Sequence, residues 1–152
     1  MPRMGNRGVD LDQGETFTLA ASGARTATAV TYGTAVYFGG ERQRFIVFLD
    51  VTAAATDIDD TLDVYIDFSL DNVTFYNGGH YTQVLGNGGV KSFYMVFDPS
   101  APGTAGIAVA TDAAVNTVRP AMIGPYIRAR WVIVNPGGGA ASFTFSVLGF
   151  AQ

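Results

Sequence analysis

The sequence predicts an all-β domain: an antiparallel β-sandwich, as an eight-stranded jelly roll, with an extended N-terminal arm. Residue usage is the first observation behind this. Val outnumbers Leu by 16 to 7, and 11 Phe and 7 Tyr accompany them; branched and aromatic side chains fit a pleated, half-buried surface. The second is spacing. About eight segments alternate apolar and polar residues, 19 Gly and 6 Pro interrupt them, and no helical period persists over about ten residues. Eight strands in two sheets is the jelly-roll count. A seven-stranded immunoglobulin-like sandwich is the nearest competitor.

In chain order, residues 1–14 hold two Arg, two Asp and no periodicity, and read as a flexible arm before a domain at 15–152. Alternation starts with Thr16–Ala20. Two weak segments follow, Thr26–Val30 and Thr34–Phe38, ended by Gly39-Gly40. Arg44–Thr52 is the first strong strand. It is apolar on both faces until Asp50, which predicts a central strand covered on both sides. Ala53–Asp60 is a polar loop.

Thr61–Ser69 alternates most clearly, with Leu62, Val64, Ile66 and Phe68 inward and Asp63, Tyr65, Asp67 and Ser69 outward. Leu70-Asp71-Asn72 turns the chain into Val73–Tyr76, and Asn77-Gly78-Gly79 is expected to close that strand. His80–Leu85 is short, and Lys91–Phe97 alternates again until Asp98-Pro99. Within the irregular stretch 98–125, Ile107–Ala110 suits a strand and Asp112–Val115 a helical turn capped by Asp112. Tyr126–Val134 and Ser142–Phe150 finish the domain, joined by Asn135–Gly139.

Composition narrows function. The chain of 152 residues is 48% hydrophobic but only 14% charged, with net charge −4. Disorder requires the opposite balance, and a nucleic-acid surface requires a clustered basic footprint. No apolar run approaches the roughly 20 residues that span a bilayer. The N-terminus has no apolar leader region, so a soluble, non-secreted domain is expected. Zero cysteines exclude disulfides, thiolate zinc sites and cysteine nucleophiles.

Catalytic signals are weak. His80 is the single histidine, and no motif supplies it with a nucleophile and an orienting acid; it reads as structural. Asp63 and Asp67 share a strand face roughly 13 Å apart by strand rise, beyond the roughly 5–9.5 Å that paired glycosidase carboxylates need. They read as a solvent-facing, charged strand edge. Asp57, Asp59 and Asp60 crowd one loop, where calcium coordination is conceivable, although a solvated acidic turn is the simpler reading. Asp10–Glu15 echoes the start of a calcium loop without its later ligands. The aromatics Tyr65, Phe75, Tyr76, Tyr81 and Tyr94 could stack on sugars, but core and interface packing account for them more readily. No cofactor, metal or catalytic residue is expected.

The surplus is apolar surface. Ile46 and Phe48 on one strand, with Val132 and Val134 on another, point away from the predicted core and are expected at a subunit interface. The arm, with Arg3, Arg7, Val9 and Leu11 as its contacts and Asp10 and Asp12 beside them, is expected to order on a partner.

The run Leu62–Tyr76 followed by His80–Val84, and Gly124–Trp131 followed by Ser142–Val147, resemble segments of small tailed-bacteriophage virion proteins. Size, lack of cysteine and the arm are similar to capsid decoration (cement) proteins. That resemblance implies a non-enzymatic homotrimer on the outer surface of the virion head, made in the host cytoplasm. It would clamp major capsid protein subunits, with no nucleic-acid or membrane partner and no catalytic residues. The Leu62–Tyr76 segment also resembles discoidin-like and carbohydrate-binding sandwiches. The alternative is therefore a carbohydrate- or receptor-binding module of a tail fibre or baseplate.

Overall fold

The computed structural model describes residues 14–39, 44–101 and 112–152. Eleven strands are present among them: β1 (Glu15–Arg25), β2 (Thr31–Tyr32), β3 (Val36–Tyr37), β4 (Phe45–Ala53), β5 (Thr61–Ser69), β6 (Phe75–His80), β7 (Val84–Leu85), β8 (Lys91–Phe97), β9 (Thr117–Val118), β10 (Tyr126–Val134) and β11 (Phe143–Ala151). One sheet has the order β1-β11-β4-β8. The other has the order β2-β10-β5-β6-β9, with β3 also on β10 and β7 also on β5. All pairings are antiparallel.

Strands β2 and β3 both run along β10, and β6 and β7 both run along β5. Counted as interrupted single strands, they leave eight principal strands, four to a sheet, plus β9. This is the double-sheet jelly roll. The interruption at Gly33 has a local cause: its amide bonds to Ala129 O at 2.8 Å, and a Cβ there would lie 2.3 Å from Leu19 O.

The core lies between the sheets. Phe45, Val47, Leu49 and Val51 of β4 face Leu62, Val64, Ile66 and Phe68 of β5, all of them buried. Phe17, Phe38, Phe45, Phe68 and Phe97 form a chain of ring contacts with centroids 4.8 to 5.9 Å apart. Phe38 is only partly buried; each of the buried rings contributes roughly 1.5–3 kcal/mol by transfer from water.

Three expectations need correction. Asn77-Gly78-Gly79 does not end a strand. Ile66 pairs with Gly79 and Asp67 with Asn77, so Gly78 is an extra residue, a β-bulge within β6. Its glycines serve packing: a Cβ on Gly78 would meet the Phe68 ring at 2.9 Å, and one on Gly79 the Met95 sulfur at 2.6 Å. Asp112–Val115 is not helical but an extended strap leading to a turn at Asn116, which has φ 59°. Finally, β4 is central, but its outward face is not covered: Ile46 is half-buried and Phe48 exposed. The arm residues Arg3, Arg7, Val9 and Leu11 and the segment Ile107–Ala110 lie outside the described residues.

Candidate functional site

The two outward faces of the sandwich are the candidate surfaces, and strand register assembles each. On the β1-β11-β4-β8 sheet, Thr16, Phe150, Ile46 and Val96 line up across the four strands. The next outward row is Thr18, Leu148, Phe48 and Tyr94. Leu148 is 45%, Phe48 48% and Tyr94 68% exposed. The Phe48 and Tyr94 rings tilt together with centroids 6.1 Å apart. A shallow depression of about 420 Å3 runs between Phe48 and the β1 side of this face. Beyond these rows the face turns polar, where Ser92 Oγ donates to Asp50 Oδ1 at 2.6 Å. Gly14, the residue that follows the predicted arm's other members, sits directly on Phe150: a Cβ on it would fall 1.8 Å from that ring.

The centre of the opposite outward face is polar and sealed. Asp63, Asp67, Asn77 and His80 are all buried, which corrects the expectation of a solvent-facing charged edge at Asp63 and Asp67. Strand β5 is interior to its sheet, and the strap from Asp112 to Arg119 bonds to β6 on one side of it and, through Asp112, to Arg130 of β10 on the other. Asp67 Oδ2 lies 3.0 Å from Arg130 Nε and 3.5 Å from Arg128 Nε, and Asn77 Nδ2 donates to Asp67 Oδ1 at 3.1 Å. Arg128 Nε is within ion-pair range of that carboxylate yet makes no hydrogen bond. Its guanidinium stacks between Phe75 and Tyr32, at 3.7 and 4.2 Å from their centroids.

Arg130 also reaches Asp112 on the strap and lies 4.0 Å over the Tyr65 ring. Burial opposes its charge, but the hydrogen bonds it donates to Asp112 and Asp67 outweigh that and hold its pKa above the ordinary value. Tyr65 is pushed up by burial, then by the Asp63 and Asp112 charges.

His80 Nε2 lies 2.8 Å from Asp63 Oδ1, and Nδ1 lies 3.2 Å from Ala113 O. Tyr65 stacks on the ring at 4.1 Å, and Gln83 holds the other Asp63 oxygen at 2.9 Å. Both ring nitrogens therefore lie against protein oxygens rather than open to solvent. The arrangement pins the strap to the sheet: Ala113 N donates to Asn77 Oδ1 at 2.8 Å, and Arg119 Nη1 to Asn77 O at 2.7 Å.

The structure separates the four residues expected at a subunit interface. Ile46 and Phe48 belong to the apolar face just described, whereas Val132 and Val134 lie on the other sheet, on the outward side of β10. Sequence reasoning missed Leu148, Phe150 and Val96, which complete the patch together with Tyr94, an aromatic it had singled out for stacking or packing. Their signal was available: each stands outward in an alternating strand, but register was needed to join them. The aromatics considered for sugar stacking are dispersed. Tyr81 is buried, its hydroxyl donating to Val47 O at 2.6 Å and its pKa pushed up by burial. Tyr65 is in the polar cluster, and Tyr94 is on the other sheet.

The acidic loop divides. Asp57 and Asp59 are exposed, while Asp60 is buried. Among the described residues no three acidic or histidine side chains converge as a ready-made metal centre.

No protein-family model and no curated protein matches the chain. Solved structures do. A chain from the structure of infectious bursal disease virus Gt strain superposes with TM-score 0.51 at 15% identity, over 91% of this chain and 31% of that one. A chain from the Gx strain structure gives TM-score 0.51 at 14% identity, over 91% and 32%. This chain thus spans about a third of the length of those it matches. What they have in common is the fold, a jelly-roll sandwich.

Proposed function

We propose that this protein is a non-enzymatic virion structural protein that decorates a phage capsid as a homotrimer, and that the apolar face around Phe48 is where sister subunits meet. The carrying observation is that face. Three large side chains, Phe48, Tyr94 and Leu148, stay about half or more exposed on a sheet whose inner side is fully packed, and a contiguous exposed apolar patch marks an interaction site. The fold supports the virion role by analogy, since jelly rolls recur in viral capsids and the similar solved chains come from structures of a virus.

Residues 1–14 are proposed to reach the major capsid protein, with Val9 and Leu11 as apolar anchors and Arg3 and Arg7 at the rim. Exposed ion pairs contribute only about 0–1 kcal/mol each, and ordering the backbone costs roughly 1–2 kcal/mol per residue. The anchors therefore have to carry the binding.

Light-scattering mass in solution tests the assembly: a trimer is expected, converting to monomer in Phe48→Asp, and a monomeric wild type at high concentration overturns it. Co-sedimentation with empty heads tests the role. Deleting residues 1–14 should leave the trimer intact and abolish head binding. The carbohydrate-binding alternative would instead register on a glycan array, with binding lost on replacing Tyr76.

A further inference from the structure

We propose that the pole of the sandwich where the β4–β5, β7–β8 and β10–β11 loops meet holds a calcium ion, with Asp60 as its buried ligand and Asp57 as its second carboxylate. The observation behind this is an orphan. Asp60 is only 2% exposed, and its Oδ1 is buried with no hydrogen-bond partner. A buried carboxylate oxygen left without a hydrogen bond or a counter-charge is costly. Every other buried acid here is compensated: Asp63 by His80 and Gln83, and Asp67 by Arg130, Arg128 and Asn77. Asp60 instead has Asp57 and Asp59 as its charged neighbours.

The surroundings are built to keep it there. Asp60 N bonds to Asp57 O at 3.2 Å, bringing the two residues together across a tight turn, and Gly86 N bonds to Asp60 O at 2.7 Å. Asn87 N bonds to Ala55 O at 2.5 Å, clamping the β7–β8 turn onto the acidic loop. A Cβ on Gly86 would lie 1.6 Å from Asp57 O, so no other residue allows this approach. From the third loop, Gly137 comes close to Asp57 Oδ2, 3.3 Å from where its Cβ would stand. Asp57 uses Oδ1 to hold Asp59 N at 3.1 Å, which leaves Oδ2 turned to the loop cluster.

The chemistry selects the ion. With no cysteine in the chain and its one histidine engaged on β6, this pole offers only oxygen ligands, which suit hard cations. Calcium accepts six to eight oxygens in flexible geometry, completing two carboxylates with backbone carbonyls and water.

The test is thermal unfolding of the full chain at pH 7, in EDTA and in calcium chloride. Calcium at a hundred-fold excess over Kd should raise the wild-type Tm by roughly 5–10 °C. Asp60→Asn, which is isosteric, should abolish the rise, and Asp71→Asn, on a distant turn, should keep it. Calorimetric titration of calcium into the wild type should give one site per chain, weakened at least tenfold in Asp57→Asn. No calcium effect on wild-type Tm overturns the proposal, as does an equal effect in Asp60→Asn. So does an Asp60→Asn protein more stable than a calcium-insensitive wild type, since Asp60 would then carry a proton rather than an ion.

Discussion

The two outward faces of this sandwich are built from similar alternating strands and end in opposite states. On the β1-β11-β4-β8 sheet the outward residues are apolar and open to water. On the other sheet, around Asp63 and Asp67, they are charged and largely buried. Water should favour the reverse, so each face must be explained by what covers it. The strap at Asp112–Arg119 covers the charged face within the chain, and every carboxylate under it has a partner. Among the described residues nothing covers the apolar face, whose stability in isolation rests on the core beneath it. One face holds this molecule together; the other is the surface proposed above for a sister subunit.

This contrast can be broken from its strongest point. Asp67→Ala removes the charge between Arg128 and Arg130 and leaves two guanidiniums facing a sealed site. It should cost about 3–5 kcal/mol in denaturant unfolding, as loss of one partner of a buried pair does. A loss under about 1 kcal/mol would mean that the network is only surface charge. His80→Ala leaves Asp63 and Ala113 O without a ring nitrogen and should cost about 1–3 kcal/mol. It should also raise hydrogen exchange at Ala113 and neighbouring strap amides.

On the opposite face, Phe48→Ser and Tyr94→Ser should change monomer stability by only about 0.5 kcal/mol, as exposed sites do, while weakening self-association. If they destabilise the monomer as much as Asp67→Ala, the faces do not differ in kind.

The smallest effect belongs to the β5–β6 turn. There, amides of Thr74 and Val73 and then the Ser69 hydroxyl hold the Asp71 carboxyl below the usual range. A depressed carboxylate contributes stability above its unfolded pKa and loses it as pH falls through the folded value. Asp71→Asn should therefore lower Tm at pH 7 and have little effect near pH 2.

Most of the fold was legible because alternation and turn chemistry are local. Lys91–Phe97 and Tyr126–Val134 match β8 and β10 residue for residue, and Ser69-Leu70-Asp71-Asn72 is a turn held by its own side chains, with Asn72 at φ 61°. What was not legible depends on register. Period two places Asp63 and Asp67 outward, but whether outward means wet depends on the distant Arg130 and Asp112. Gly78-Gly79 looked like a turn because glycine demand from a local φ and from a neighbour's ring are indistinguishable in sequence. Ile46 and Val132 were grouped because both lie outward, and only the sheet order shows that they face opposite ways. Paired spacing was a usable clue: Asp63 and Asp67 on one strand, with Arg128 and Arg130 two apart on another, invite cross-strand ion pairs.

The broken border of the second sheet has a consequence for assembly. β2 and β3 are two residues each, split at Gly33, and β9 on the far side is equally short. Such stubs offer too few free amides and carbonyls in a row to recruit another polypeptide. The long margins, β1 with 11 residues and β8 with 7, both belong to the sheet with the greasy exterior. Among the described residues, recruitment of a further strand is thus confined to the sheet with the greasy exterior.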